Sequence, residues 1–224
     1  VPFRVGEKLT FSVEYGPVTA GEAVMSIASI DTIMGFPSYH IISTARTNEI
    51  FSAMYKVDDN VESHMDITGL FSRHFKKRLR EGSFKRDHEV YFDQEKMVAR
   101  YTNGDSLSTL AETQDILSAF FYLRAQDLSV GKKFSFPCHD NKKNYPLVVK
   151  VLRKEKVVVP AGKFRCYVLE PKLKTGGLMK KKAKMLIWVT EDDRKMPVLM
   201  ETRVTIGSIA AKLVEYDSGI DNAH

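Results

Sequence analysis

A chain of 224 residues, 43% hydrophobic and with only 13 Gly and 8 Pro, is long enough to bury a full core, which excludes intrinsic disorder and a disulfide-held mini-protein. Its longest apolar runs, such as residues 118–123 or 157–159, fall far short of the roughly 20 residues that carry a helix across a bilayer. With 34 Lys and Arg against 28 Asp and Glu, the formal charge of +6 favours anionic partners without identifying one.

From the N-terminus onward, alternation dominates. The chain starts Val1-Pro2-Phe3 with no initiator methionine, the pattern left by removal of a signal peptide, and this predicts an exported protein. In Leu9-Thr10-Phe11-Ser12-Val13-Glu14-Tyr15 every second residue is apolar, the mark of a strand with one buried face. Gly16-Pro17 punctuates it, and a second strand over 21–27 completes a hairpin. Further strands are expected at 39–46, 55–64, 71–80, 84–92 and 97–101, separated by turn clusters such as Glu81-Gly82-Ser83 and Asp93-Gln94-Glu95-Lys96. The even spacing predicts an antiparallel meander.

One segment breaks the pattern. Between residues 114 and 126 the apolar side chains Ile116, Leu117, Phe120, Phe121 and Leu123 follow a helical stripe. Thr109 with Glu112, or Thr113 alone, offers a cap, and Asp115 in the first turn suits the helix dipole. Strands then resume at 133–138, 147–159, 164–171, 183–190, 198–204 and 209–216. The frames Val5-Gly6-Glu7-Lys8-Leu9 and Val130-Gly131-Lys132-Lys133-Phe134 hint at internal duplication, although two strands that each follow a glycine turn explain them as well. No Ser/Gly/Pro-rich linker divides the chain, so a single domain over 1–219 with a tail at 220–224 is expected.

The chemistry-bearing residues give few motifs. Cys138 and Cys166, 28 positions apart, match no zinc or redox spacing; they form a possible disulfide if their strands lie side by side in an oxidising compartment, and two free thiols otherwise. His40, His64, His74 and His88 sit in separate expected strands that a curved sheet could bring onto one face with Asp59, Asp66 or Glu62, but lone strand histidines argue for no metal site. Cys138 and His139 are adjacent on a strand and so point apart, which weakens a nucleophile and base pair. Glu191 and Asp192 suggest glycoside hydrolysis only weakly, because consecutive carboxylates beside Arg194 and Lys195 read as a solvated loop. Phosphate-cradling glycine loops, a G-x-S-x-G elbow and H-E-x-x-H are all missing, so no cofactor is expected and an enzyme of a familiar kind is disfavoured.

Two surfaces remain. Lys76, Arg78, Arg80 and Lys85 surround one expected hairpin and Lys180, Lys181 and Lys182 follow Gly176-Gly177, so two basic hairpins could meet an anionic glycan or another envelope component; no aromatic strand motif accompanies them, and no nucleic-acid partner is expected. The strands are also rich in Met, Phe and Tyr, which in an open barrel can line a cavity for an acyl chain or other apolar ligand.

The opening Phe3-Arg4-Val5-Gly6-Glu7-Lys8-Leu9 with Thr19-Ala20-Gly21-Glu22-Ala23, the central run from Asp115-Ile116-Leu117-Ser118 to Leu123-Arg124, and Ile187-Trp188-Val189-Thr190-Glu191-Asp192-Asp193 followed by Met196-Pro197-Val198 and Ile206-Gly207-Ser208 together resemble domain-of-unknown-function family 3108. The resemblance implies an exported, periplasmic protein of a Gram-negative envelope, supplies no catalytic or binding residues, and through its compartment favours the disulfide. The expectation is therefore an all-β fold, mainly antiparallel, curved into a sandwich or open barrel with one packed helix near 114–126. Its expected role is non-catalytic binding of a lipidic or apolar ligand, with glycan binding and carbohydrate hydrolysis as alternatives.

Overall fold

The computed structural model describes residues 1–172, 184–203 and 207–219. Its strands are β1 (Glu7–Tyr15), β2 (Val18–Ile33), β3 (Phe36–Thr47), β4 (Asp58–Asp66), β5 (Ser72–Glu81), β6 (Phe84–Asp93), β7 (Val98–Tyr101), β8 (Ser106–Ser108), β9 (Lys133–Asp140), β10 (Lys143–Val159), β11 (Gly162–Lys172), β12 (Lys184–Thr190), β13 (Pro197–Arg203) and β14 (Ser208–Ser218). A short helix α1 (Glu49–Met54) joins β3 to β4, and α2 (Ile116–Arg124) joins β8 to β9.

All fourteen strands form one antiparallel sheet in the order β8-β7-β6-β5-β4-β3-β2-β1-β14-β13-β12-β11-β10-β9, not closed into a barrel. Two meandering arms meet at a central seam where β1 lies beside β14, Glu7 opposite Ser218 and Tyr15 opposite Ile209. The free edges are β8 and β9. Gln114, just before α2, makes a single parallel bridge to Cys138 on β9, and Asn144 donates to the Ser108 carbonyl at 2.6 Å, so the two edges approach without pairing.

Around α2 the sheet curls, because the helix buries side chains against both arms. Leu117 and Phe121 pack with Ile41, Met65, Phe75 and Val90 of the first arm, while Ala119 and Leu123 pack with Phe136, Leu147, Val149 and Leu169 of the second. Each large apolar side chain buried there contributes about 1.5–3 kcal/mol. A third core gathers Leu9 and Phe11 at the seam with Trp188, Val198 and Leu213.

Both ends of α2 are tied down. Asp115, not a threonine, is the cap: its carboxylate accepts from the N–H groups of Leu117 and Ser118 at 2.7 and 2.9 Å, and the Ser118 hydroxyl lies 3.0 Å from the Asp115 N–H. Ser63 of β4 and Ser72 of β5 donate to the same fully buried carboxylate at 2.6 and 2.5 Å, which stitches the helix start to the sheet. At the other end Arg124, 1% exposed, forms a two-pronged pair with Glu7 of β1 at 2.6 and 2.9 Å and donates to the carbonyls of Arg194 and Lys195.

Both cysteines are free and buried, so of the two alternatives, a disulfide or two free thiols, the structure has the free thiols. Cys138 on β9 faces Tyr145 of β10 and Cys166 on β11 faces Glu155 of the same strand. An intervening strand separates the thiols by about 9–10 Å sideways, and the ten-residue offset along β10 adds about 30 Å, against the roughly 7 Å between Cα atoms that a disulfide tolerates. The two V-G frames begin β1 at the seam and β9 at an edge, both after a glycine with positive φ, 89° at Gly6 and 88° at Gly131. A shared turn requirement is enough to explain the shared letters.

Candidate functional site

Between α2 and the curled sheet lies a hollow of about 250 Å³. Ile116, Phe120 and Leu123 line it from the helix, Met25, Ser43 and Val61 from the first arm, and Phe136, Val149, Ile187 and Met200 among others from the second. Ser43 is the single polar side chain in that lining. Strand alternation places these residues on the inner face of each strand, and the curl brings the two arms opposite one another. Met25, Phe120, Met185 and Met200 are half-buried and form a rim, three of the four with the flexible thioether that repacks around variable apolar shapes.

The outer face of the first arm carries a different constellation. His40 of β3 stands opposite His64 of β4, which stands opposite His74 of β5, which stands opposite Tyr91 of β6. The rings of His40 and His64 stack at 4.3 Å and those of His64 and His74 lie 5.1 Å apart. Carboxylates bracket this row: Asp31 contacts His40 Nδ1 at 3.3 Å and His64 Nε2 at 3.2 Å, Glu62 contacts His40 Nε2 at 3.0 Å, and Glu89 contacts His74 Nε2 at 2.9 Å. Burial, reinforced by the neighbouring His40, pushes the His64 imidazole down from its ordinary pKa, so it stays neutral more readily. The hydrogen bond from Ser29 lowers Asp31, and at Glu62 bonds from His40 and Asn60 outweigh the burial that would raise it. Of the residues the sequence marked for such convergence, His40, His64, His74 and Glu62 come together; His88 lies on the opposite face, and Asp66 pairs with Arg73 at 2.9 Å.

The basic hairpin of β5 and β6 is less cationic in space than along the chain. Lys76 is flanked in register by Glu62 and Glu89, Arg78 bonds Asp58 at 3.1 Å, and Arg80 bonds Asp87 at 2.8 Å. Lys85 sits opposite Arg80. Apart from that like-charged pair, these basic residues meet carboxylates across the strands, an arrangement that stabilises pairing. Lys180, Lys181 and Lys182 lie outside the described residues.

Glu191 and Asp192 are also engaged. Hydrogen bonding from Lys154 holds Glu191 below the usual carboxylate range, with Arg165 at 3.0 Å on its other side. At Asp192 burial is outweighed by Thr190 and Arg194, which lower it. A glycosidase acid needs its pKa raised, so neither carboxylate is poised to donate a proton. Burial pushes the thiols of Cys138 and Cys166 up to about 12, leaving no thiolate nucleophile. His139 turns away from Cys138 to Tyr101 and Asn144.

A family model described as "Protein of unknown function (DUF3108)" matches residues 10–214. The chain belongs to this family. No curated protein matches it. Among solved structures, a beta-barrel-like protein of the DUF1849 family from Brucella abortus is similar at a TM-score of 0.63 and 11% identity, covering 96% of this chain and 98% of that one. A DUF1089 family protein from Pseudomonas aeruginosa is similar at 0.45 and 10% identity over 82% and 90%. At such identities the likeness concerns the fold alone. In this DUF3108 chain no helix among the described residues is long and apolar enough to cross a membrane.

Proposed function

We propose that this DUF3108 chain is an exported, periplasmic single-domain protein that holds an apolar ligand, such as a lipid acyl chain, between α2 and the curled sheet without catalysing its conversion. The observation that carries this reading is the lining of the 250 Å³ hollow, apolar at every side chain but Ser43. Apolar cavities of this order stay dry and accept hydrocarbon, and this one is too narrow for a drug-sized molecule but suits part of a single chain. Export rests on the family resemblance.

Native mass spectrometry of protein purified without detergent, and titration with a fluorescent fatty acid, test the reading. Wild type should carry or take up about one chain per protein. Met200→Trp, which fills the hollow from its half-buried rim, should lower affinity at least tenfold while the melting temperature changes little. Failure of the wild type to bind any acyl probe, or equal binding by Met200→Trp, overturns the proposal.

A further inference from the structure

We propose that Asp31, His40 and His64 form a binding site for a divalent transition-metal ion of the zinc class on the outer face of the sheet, separate from the apolar hollow. One carboxylate oxygen of Asp31 and the facing nitrogens of the two imidazoles all lie within 4.8 Å of one another, the only such group of three His, Cys, Asp or Glu among the described residues. Zinc bonds of about 2.0–2.1 Å in a tetrahedron set neighbouring ligand atoms about 3.3 Å apart. The two edges that run from Asp31 Oδ2 measure 3.3 and 3.2 Å.

The strand geometry converges on this spot. A bulge in β2 falls between Ile27, opposite Ile41, and Ser29, opposite His40. Ile27 and Ile41 are buried on the inner face. Strict alternation from Ile27 would send Asp31 to that face as well; the extra residue turns Ser29 and Asp31 outward to the histidines. Bulges serve this re-aiming in functional sites, and they cost a ladder hydrogen bond.

The surroundings are those that metal-bound imidazoles require. Each ligand histidine must have its far nitrogen held by an acceptor so that the near one offers its lone pair. His40 donates from Nε2 to Glu62, which Asn60 and Lys76 also face. With the ion on its Nε2, His64 would donate from Nδ1 to Nδ1 of His74, 3.0 Å away, and His74 from Nε2 to Glu89. With an ion in place every ring is neutral and every ring N–H has an acceptor. Without one, the near nitrogens of His40 and His64 either turn a lone pair to the Asp31 carboxylate or must take up a second proton to donate to it. The stacked rings, 15° from parallel, meet an ion by tilting toward Asp31 about χ2, a torsion with a broad well. Two nitrogens and one oxygen match zinc and its neighbours in the transition series; magnesium and calcium prefer all-oxygen sets.

Dialysis of the metal-free full chain against Zn²⁺, with elemental analysis and calorimetry, tests the site. Wild type should bind one zinc per chain and gain thermal stability from it. Asp31→Asn, at a position 40% exposed and so tolerant of change, and His40→Gln should each lose at least tenfold in affinity and the thermal gain. Glu62→Gln, which keeps all three ligands, should weaken binding by about 10–100-fold. Absence of stoichiometric binding by wild type, or equal affinity in Asp31→Asn and His40→Gln, overturns the proposal.

Discussion

His88 is held on the inner side of β6 with its Nε2 buried and unpartnered. Burial, together with the nearby Lys77 cation, depresses its pKa from 6.5 to about 4. Between those values the unfolded chain binds a proton that the folded chain refuses, so stability falls as pH drops from about 6.5 toward 4 and levels off below. Chemical denaturation across this window should show a shallower acid limb in His88→Gln than in wild type; identical limbs would contradict the assignment. The cysteines give a second residue-scale outcome. Without any reductant, the chain unfolded in guanidinium should titrate with Ellman's reagent as two thiols, while the native fold, with both sulfurs buried and protonated, reacts far more slowly.

At the scale of elements, α2 depends on its two anchors. Arg124→Ala leaves the Glu7 carboxylate buried and alone, and should destabilise by about 3–5 kcal/mol in urea titrations. Pairing Arg124→Met with Glu7→Gln should restore part of that loss, since the stranded charge is gone; a double variant no better than Arg124→Ala would refute this account. Much of this architecture was legible in the sequence. Strands with an alternating apolar face, such as residues 9–15, and the stripe from Ile116 to Leu123 announced themselves because burial on one side imposes a period. What escaped has no such period: α1 buries none of its residues and β8 is three residues long. Asp115, expected in the first turn, is the cap itself, a one-residue difference in where the helix starts that its bonds to Leu117 and Ser118 settle, while its bonds from Ser63 and Ser72 come from distant strands that no local pattern reveals. The histidine row was visible only as scattered letters, because register between β3, β4 and β5 decides who faces whom and the β2 bulge that turns Asp31 toward them has no side-chain signature. The inner faces that line the hollow were marked as apolar, but their mutual distance depends on how tightly the sheet curls.

For the whole molecule the decisive element is the seam. Strands β1 and β14 join two arms that are otherwise sequential hairpins, and their pairing closes the largest loop in the chain. Contacts so remote in sequence form late and slow folding, whereas the hairpins of each arm can form locally. A chain lacking residues 208–219 should therefore keep much of its β-sheet circular dichroism yet lose the sharp cooperative melt of the full chain and bind an exposed-surface dye. A cooperative, dye-free truncation would show that the arms stand independently.

The seam also makes the arrival of β14 a structural event. Until Ser208 and the residues after it are in place, β1 has no partner on one side and α2 has no complete sheet to close upon. Any chain cut short by premature termination or by a protease before β14 presents an open strand edge and a split core, which are the features that quality-control proteases and chaperones recognise. The fold thereby distinguishes a copy that carries β14 from one that lacks it.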